Sequence, residues 1–173
     1  MNNALKQLGR FTRDLLEYDE QLIKFGRDGF VRESFDKGFI AIDSIGPAIR
    51  IGRGNRFNGE TETHTITARI QAPCTLNFYG TTDPKCESAY DRAARFMLMI
   101  QSQRSFDLQY QFNISVYLAS SITDVKALTG QQYGENFEIA VNIQYNESVD
   151  LSVKRIDTAQ VAIYSENSQE LAP

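Results

Sequence analysis

The sequence predicts an α+β fold, with a mainly antiparallel sheet and two helices packed on it, one of them N-terminal and the other long. Segments with the two-residue apolar period of half-buried strands recur over residues 38–164. Two further segments have the three-to-four-residue period of amphipathic helices. Because helices and strands do not alternate one by one, we expect the helices to lie together on one antiparallel-rich sheet.

Length and composition predict one domain. A chain of 173 residues buries about 70% of its unfolded surface on folding, which suffices for a core of its own. We therefore predict a single domain over residues 1–164. Residues 165–173 have almost nothing to bury, which predicts a flexible C-terminal tail.

The first element is predicted as a helix from Asn3 to about Phe25. Asp28-Gly29 closes it, and Phe30–Lys37 is a connector. Charged residues lie between its apolar positions, which are spaced by three and four. These positions are Leu5, Leu8, Phe11, Leu15, Tyr18, Leu22 and Phe25.

Two short strands follow the connector, Gly38–Ile42 and Ala48–Gly52, with a turn at Gly46-Pro47 between them. The second strand runs into a polar segment, GRGNRFNGETET, which predicts a mobile loop or a hairpin tip that turns at Asn58-Gly59. Positive charge concentrates here and can contact DNA phosphates or an acidic partner surface, although a merely solvated tip is the alternative. The candidate partner-interface residues are Arg50, Arg53, Arg56 and Asn58.

The stretch from His64 to Gln103 is predicted as a long strand followed by a long helix, and the rest of the fold is organised around it. Apolar and polar residues alternate up to Phe78, so one face packs and the other is polar. Pro73 has no N–H for a ladder and indicates an edge, a bulge or a break. Asp83-Pro84 predicts the helix start. The apolar stripe of this helix comprises Cys86, Ala89, Tyr90, Ala93, Ala94, Phe96, Met97 and Ile100.

Further alternating segments complete the sheet. One or two helical turns are predicted within Ser121–Gly134, and Asn146-Glu147-Ser148 is predicted to turn the chain between two strands. The predicted strands are Gln109–Leu118, Asn136–Tyr145, Val149–Val153 and Thr158–Tyr164.

No group of residues predicts catalysis, a cofactor or a metal site. His64 is the single histidine and lies among threonines, so a triad or a histidine metal site lacks its other members. Cys74 and Cys86 form no CxxC motif, which favours free thiols in a reducing compartment over a strand-to-helix disulfide. We therefore expect no enzymatic activity.

Charge and hydropathy narrow the class of protein further. A net charge of −4 argues against a general nucleic-acid binder. No apolar run approaches the length of a membrane span, and the N-terminal MNNALKQLGRF carries charge where a signal peptide is apolar. We expect a protein of the cytosol that has no contact with membranes.

The sequence contains an ordered set of short motifs. The set comprises FIAIDSI, a glycine-rich polar loop, TLNFYG, TTDPKCESAYDRAARFMLMIQS, and a segment from VYLASSITDVKALTGQQYGENFEIAV to VAIY. In this order the motifs resemble those of the neck or tail terminator proteins of tailed bacteriophages. It covers roughly Phe39 to Tyr164. The strand start near Asn136-Phe137-Glu138 departs from the family, which typically has an arginine there. The family's motif positions fall on Tyr79-Gly80, Asp83, Asp124, Leu128 and Tyr133.

The resemblance implies a tail-terminator-like fold and a structural virion protein of the phage neck. It implies a hexameric ring that ends the tail tube and joins the tail to the head–tail connector. The implied partners are other copies of the chain, the connector, the tail tube protein and, in a contractile tail, the sheath protein. Genomic DNA passes through the lumen without specific binding. The implied location is the virion, after assembly in the host cytoplasm.

Two other interpretations remain open at the level of sequence. A head completion protein or a tail tube subunit is the alternative within the same class. A small-molecule binding module is the alternative from another class, because many amphipathic strands can curl around a cavity.

Overall fold

The computed structural model describes residues 3–26, 38–44, 46–80, 85–125 and 135–152. It confirms the α+β class with a mostly antiparallel sheet. The helices are α1 (Asn3–Leu16), α2 (Ala89–Met99) and α3 (Gln103–Gln111), with a 3-10 turn at Glu20–Leu22. The strands are β1 (Ile23–Phe25), β2 (Phe39–Ser44), β3 (Ile49–Asn58), β4 (Thr63–Tyr79), β5 (Ile114–Leu118), β6 (Thr123–Asp124) and β7 (Asn136–Ser152).

Two long strands form the centre of the sheet. β4 and β7 pair antiparallel along their whole length, from Thr63 opposite Ser152 to Tyr79 opposite Asn136. The strand order is β1-β2-β4-β7-β5, with β3 also on β4 and β6 also on β7. β1 and β2 are the one parallel pair among the described strands. The neighbours of β4 change from β3 to β2 at Ala72-Pro73, so Pro73 lies where one flanking strand gives way to the next.

The core lies between one end of this sheet and the helices. Leu76 and Phe78 of β4 and Phe96 of α2 are fully buried, and the rings of Phe78 and Phe96 lie 6.1 Å apart. Leu8, Phe11 and Leu15 give α1 a buried stripe, as its apolar period predicts. Ala93 and Ile100 extend the buried side of α2.

The first helix is shorter than predicted. It ends at Leu16 because Glu17 takes a left-handed conformation, φ 54°, and the N–H of Tyr18 donates to the carbonyl of Arg13 at 2.9 Å. This is the 6→1 bond of a Schellman motif. Leu22 and Phe25 continue the helical spacing by coincidence, since residues 23–25 instead pair with β2. The predicted closure and connector over residues 28–37 lie outside the described residues.

The predicted long helix is not confirmed. Ser88 caps α2, its hydroxyl accepting from the N–H of Asp91, so the helix begins after the predicted Asp83-Pro84, which lies outside the described residues. Ser102 caps α3 in the same way, and its hydroxyl also donates to the carbonyl of Met99 at 2.6 Å. The predicted strand over Gln109–Leu118 is therefore wrong in its first half, where α3 continues to Gln111.

The predicted turn at Asn146-Glu147-Ser148 is also wrong. β7 continues through these polar residues because each of them has a cross-strand partner on β4. Within Ser121–Gly134, where helical turns are predicted, Thr123 and Asp124 form strand β6 on β7 and Val125 is helical. Residues 126–134 lie outside the described ranges. The predicted last strand and tail, residues 158–173, also lie outside them.

Candidate assembly interface

One half of the central sheet extends beyond the part that the helices cover, and we call it the arm. It comprises β3, residues 63–71 of β4 and residues 144–152 of β7, with β4 in the middle. Every residue of β3 except Gly52 is exposed, and so are residues 146–152 of β7. The arm is therefore a three-stranded ribbon with both faces near solvent.

The tip of the arm is closed by the turn that Asn58-Gly59 predicts. The side-chain oxygen of Asn58 accepts from the N–H of Glu60 at 3.0 Å, which is an Asx turn. The Thr63 hydroxyl donates to the carbonyl of Thr61 at 3.0 Å, and Glu62 takes a positive φ of 49°. The predicted hairpin tip is thus confirmed, but it is confined to residues 59–62, since β3 and β4 occupy most of the polar segment.

The apolar face of the arm is the continuation of the core face of the sheet, because even-numbered residues of β4 lie on one side throughout. Cross-strand partners share a face, so Phe57, His64 and Leu151 form one row and Asn55, Ile66 and Val149 the next. The exposed fractions of Phe57, Val149 and Leu151 are 53%, 60% and 44%. No described helix covers these rows.

The opposite face of the arm is polar. The Thr65 hydroxyl donates to the carboxylate of Asp150 at 2.6 Å, and the side-chain amide of Gln144 donates to that of Gln71 at 3.0 Å. Both bonds join neighbouring strands on this face, and most of the remaining side chains are threonine, serine, asparagine and arginine. Ile49, opposite Gln71 and 53% exposed, is an apolar side chain on this face.

The candidate interface residues do not form a single patch. Arg50 and Arg53 lie on the apolar face, opposite Ile70 and Ala68, whereas Arg56 and Asn58 lie on the polar face. All four are exposed. The three arginines form no ion pair within the described part of the chain. A bulge at Ile51 shifts the register between Arg50 and Gly52, so sequence alternation alone does not show which arginines share a face.

A second uncovered surface lies beside the edge strand β5, and we call it the α3–β5 groove. It is an open groove of about 940 Å³. Phe106 and Tyr110 of α3 and Tyr117 of β5 line it, with exposed fractions of 57%, 90% and 50%. Arg69 and Tyr145, at the base of the arm, complete its wall. No described strand pairs with the outer edge of β5.

Sequence reasoning missed this groove because Tyr110 was assigned to a strand. Ser102 followed by Phe106 and Tyr110, four residues apart, is the signal that predicts a capped helix with an aromatic face.

A buried polar cluster joins the elements behind these surfaces. Arg92 of α2 is 1% exposed and donates to the Tyr18 hydroxyl and to the carbonyl of Tyr79. Tyr18 donates in turn to the carbonyl of Gly38 at 3.2 Å, and burial raises the pKa of its phenol. Arg92 thus ties α2 to the end of β4 and to the residue before β2, a structural rather than a catalytic role.

Two segments that carry the family motifs also meet. The N–H of Gly80 donates to the carbonyl of Glu135 at 2.7 Å, and the Glu135 carboxylate accepts from the N–H of Ala89 at 3.3 Å. Hydrogen bonds to Glu135 therefore join the end of β4 and the start of α2 to the residue before β7. Asp124 lies exposed on β6, and the motif positions Asp83, Leu128 and Tyr133 lie outside the described residues.

The described ranges contain no group of three or more His, Cys, Asp or Glu side chains placed to hold a metal ion. Among the helices described, none has the length and apolar character needed to cross a membrane. Among the described residues neither Cys74 nor Cys86 forms a disulfide, and burial raises the pKa of Cys74 to about 11.

An uncovered β arm, an aromatic groove and a helix-backed sheet define a protein whose distinctive surfaces are suited to contacts with other proteins. Over residues 3–168 the chain matches the model of a family described as phage neck terminator protein. It belongs to that family, whose members are structural virion proteins of the phage neck and assemble there with head and tail components. No curated protein matched the chain.

Proposed function

We propose that this chain forms a closed ring, most simply of six copies, that ends the tail tube and joins the finished tail to the head–tail connector. Membership of the neck terminator family, matched over residues 3–168, is the observation that carries the proposal. The arm supports it, because Phe57, Val149 and Leu151 are exposed together on one face of an extended sheet, and clustered exposed apolar side chains mark contact sites.

The ring acts through binding alone, without catalysis. Its partners are the connector on one side and the tail tube on the other, with the sheath added in a contractile tail, and it assembles in the host cytoplasm. The candidate residues Arg50, Arg53, Arg56 and Asn58 lie on the arm, and Arg50 and Arg53, on its apolar face, contact a neighbouring protein rather than DNA. A net charge of −4 suits a lumen through which DNA passes without being held.

Capping of tail tubes tests the terminating step. Purified chain is added to polymerising tail tube protein, and tube lengths are measured by electron microscopy over a range of molar ratios. A terminator shortens the tubes and appears as a ring at one end. Tubes of unchanged length, with no density at either end, would contradict the proposal.

The joining step needs a separate measurement. Capped tails are mixed with DNA-filled capsids, and joined particles are counted by electron microscopy against a mixture without the protein. Equal numbers of joined particles in the mixture without the protein would contradict this part of the proposal.

The α3–β5 groove also favours a second candidate, a small-molecule binding module, because about 940 Å³ is the size of a ligand site. A ligand that binds only the folded state raises its melting temperature by mass action. A thermal shift screen that finds such a ligand, abolished by Tyr110→Glu, would favour this candidate over the terminator.

A further inference from the structure

We propose that the apolar face of the arm docks into the α3–β5 groove of a second copy of this chain, so that neighbouring subunits of the ring are joined arm to groove. The inference rests on the proposed function, because it names the two surfaces that hold the ring together. The occupant of the groove is thus the arm of another identical chain.

The apolar face of the arm needs a cover that its own chain does not give within the described residues. Phe57, Val149 and Leu151 are about half exposed although they continue the face that packs on the helices further along β4. Burying such side chains is favourable in proportion to the apolar area removed from water. A second copy is always present at the concentration of the first, and it carries a matching surface.

The groove matches the arm in its chemistry. It offers three exposed aromatic rings, those of Phe106, Tyr110 and Tyr117, to an arm whose tip exposes Phe57 and aliphatic side chains. Arg50 and Arg53 lie on the same face of the arm without an ion pair to a described residue, and guanidinium groups stack favourably on exposed aromatic rings.

A single arm-to-groove contact is modest in size, and each subunit of a ring makes two of them. Strands of nine residues are about 30 Å long, and three strands are about 14 Å wide, so one face of the arm measures about 400 Å². One contact therefore buries about 400 Å² on each partner, roughly half of a standard interface, and ring closure adds a second contact to every subunit.

Arm and groove are different surfaces, and a head-to-tail contact between different surfaces gives a ring where its rotation closes and an open filament where it does not. Two arms packed face to face would instead stop at a dimer. The mass of the assembly therefore distinguishes the proposed contact from its simplest competitor.

The first test adds charge to the arm. Val149→Asp with Leu151→Asp places two carboxylates on the apolar face, whereas Ser148→Asp with Ser152→Asp places the same charges on the polar face of the same strand. All four positions are exposed, so circular dichroism should show both variants folded. Light scattering over a concentration series should show a ring for the wild type and the control, and a single chain of 19.6 kDa for the apolar-face variant.

The second test charges the groove. Phe106→Glu with Tyr110→Glu should give a single chain, whereas Gln111→Glu, at an exposed position of α3 outside the groove lining, should keep the ring. Mixed in equal amounts, the arm variant and the groove variant retain one intact contact between them. The mixture should therefore form a complex of two chains and grow no further.

Each other outcome overturns the inference. A wild-type chain that stays monomeric throughout the series, an apolar-face variant that keeps the ring, a control that loses it, or a mixture that stays monomeric would exclude arm-to-groove docking. Tube capping is measured separately, so a chain that caps tubes while its arm variant keeps the ring retains the proposed function and loses only this inference. A chain that assembles through arm and groove but does not cap tubes would retain this inference and contradict the proposed function.

Discussion

At the scale of single residues, the most constrained position is Gly38. Its backbone has a φ of +71°, and a Cβ added there would lie 2.4 Å from Nη2 of Arg92 and 2.7 Å from the carbonyl oxygen of Tyr79. Glycine alone accepts both the left-handed conformation and the close approach of the buried guanidinium. The Arg92 cluster thus explains a glycine that the sequence places only at the start of a strand.

We expect Gly38→Ala to lower the free energy of unfolding by about 2–4 kcal/mol, from backbone strain and overpacking together. Urea denaturation measures the change. Gly59→Ala is the matched control, because its added Cβ would meet nothing closer than Phe57 at 3.7 Å and should alter stability by less than about 0.5 kcal/mol. Equal effects at the two positions would show that Arg92 does not restrict residue 38.

The two thiols should differ in reactivity. Cys74 is fully buried and its pKa is about 11, whereas Cys86 is half-buried. At pH 8 roughly one Cys74 in a thousand is a thiolate, so alkylation of the native protein should label Cys86 far faster. Mass spectrometry of the peptides after timed labelling measures the ratio, and faster labelling of Cys74 would mean that the core of β4 opens.

Cys74 also predicts the sign of a pH effect. The pKa of Cys74 is raised on folding. Its contribution to the free energy of unfolding is therefore fully present below the unfolded pKa of 9.0 and is lost as pH rises towards 11. The urea midpoint of the wild type should fall between pH 8 and pH 10.5, and the urea midpoint of the Cys74→Ala variant should fall less over the same range. If the urea midpoint of the variant falls as steeply as that of the wild type, another titrating group causes the effect.

At the scale of elements, α2 is fixed to the sheet by a buried stripe that contains Phe96. Phe96 is fully buried against Phe78, whereas Leu98, on the same helix, is 79% exposed. The helix therefore has one side that stabilises the fold and another that does not.

We expect Phe96→Ala to cost about 3–5 kcal/mol, a large share of the roughly 5–15 kcal/mol that stabilises a domain. Leu98→Ala should change the stability of the monomer by less than about 0.5 kcal/mol. Chemical denaturation of both variants, at a concentration where the chain is monomeric, makes the comparison. A neutral Phe96→Ala would contradict the packing of α2 on β4.

The elements also show how far periodicity is informative. The alternation of β4 and the apolar stripe of α1 predicted their buried faces, because both patterns extend over many residues. Short patterns failed: Leu22 and Phe25 continued a helical spacing into β1, and Gln109–Gln111 continued a strand spacing into α3. Over three or four residues the two periods overlap, and pairing partners or a serine cap decide between them.

At the scale of the whole molecule, the sheet has a covered end and an uncovered end joined by the same two strands. Residues 74–78 of β4 are buried, whereas residues 63–68 are half-buried at most, although both halves pair with β7. The stability of backbone hydrogen bonds should therefore vary along a single strand.

Hydrogen exchange measures this gradient. At a concentration where the chain is monomeric, amides of residues 63–68 should exchange at least about tenfold faster than those of residues 74–79, because fewer buried apolar contacts must open. Uniform protection along β4 would mean that something outside the described residues covers the arm.

The sequence by itself determined the fold class, the buried face of β4, the hairpin turn at Asn58-Gly59 and the neck terminator family, because each depends on local chemistry or on motifs in fixed order. Tertiary structure alone decided that β7 runs straight through Asn146-Glu147-Ser148, that Arg50 and Arg53 lie on the same face of the arm, and that Tyr110 lines a groove. Local preference for a turn is weak, whereas pairing with β4 satisfies the backbone groups of every second residue along the whole of β7. Contacts between residues distant in sequence therefore set the boundaries of the elements and the surfaces that face outward.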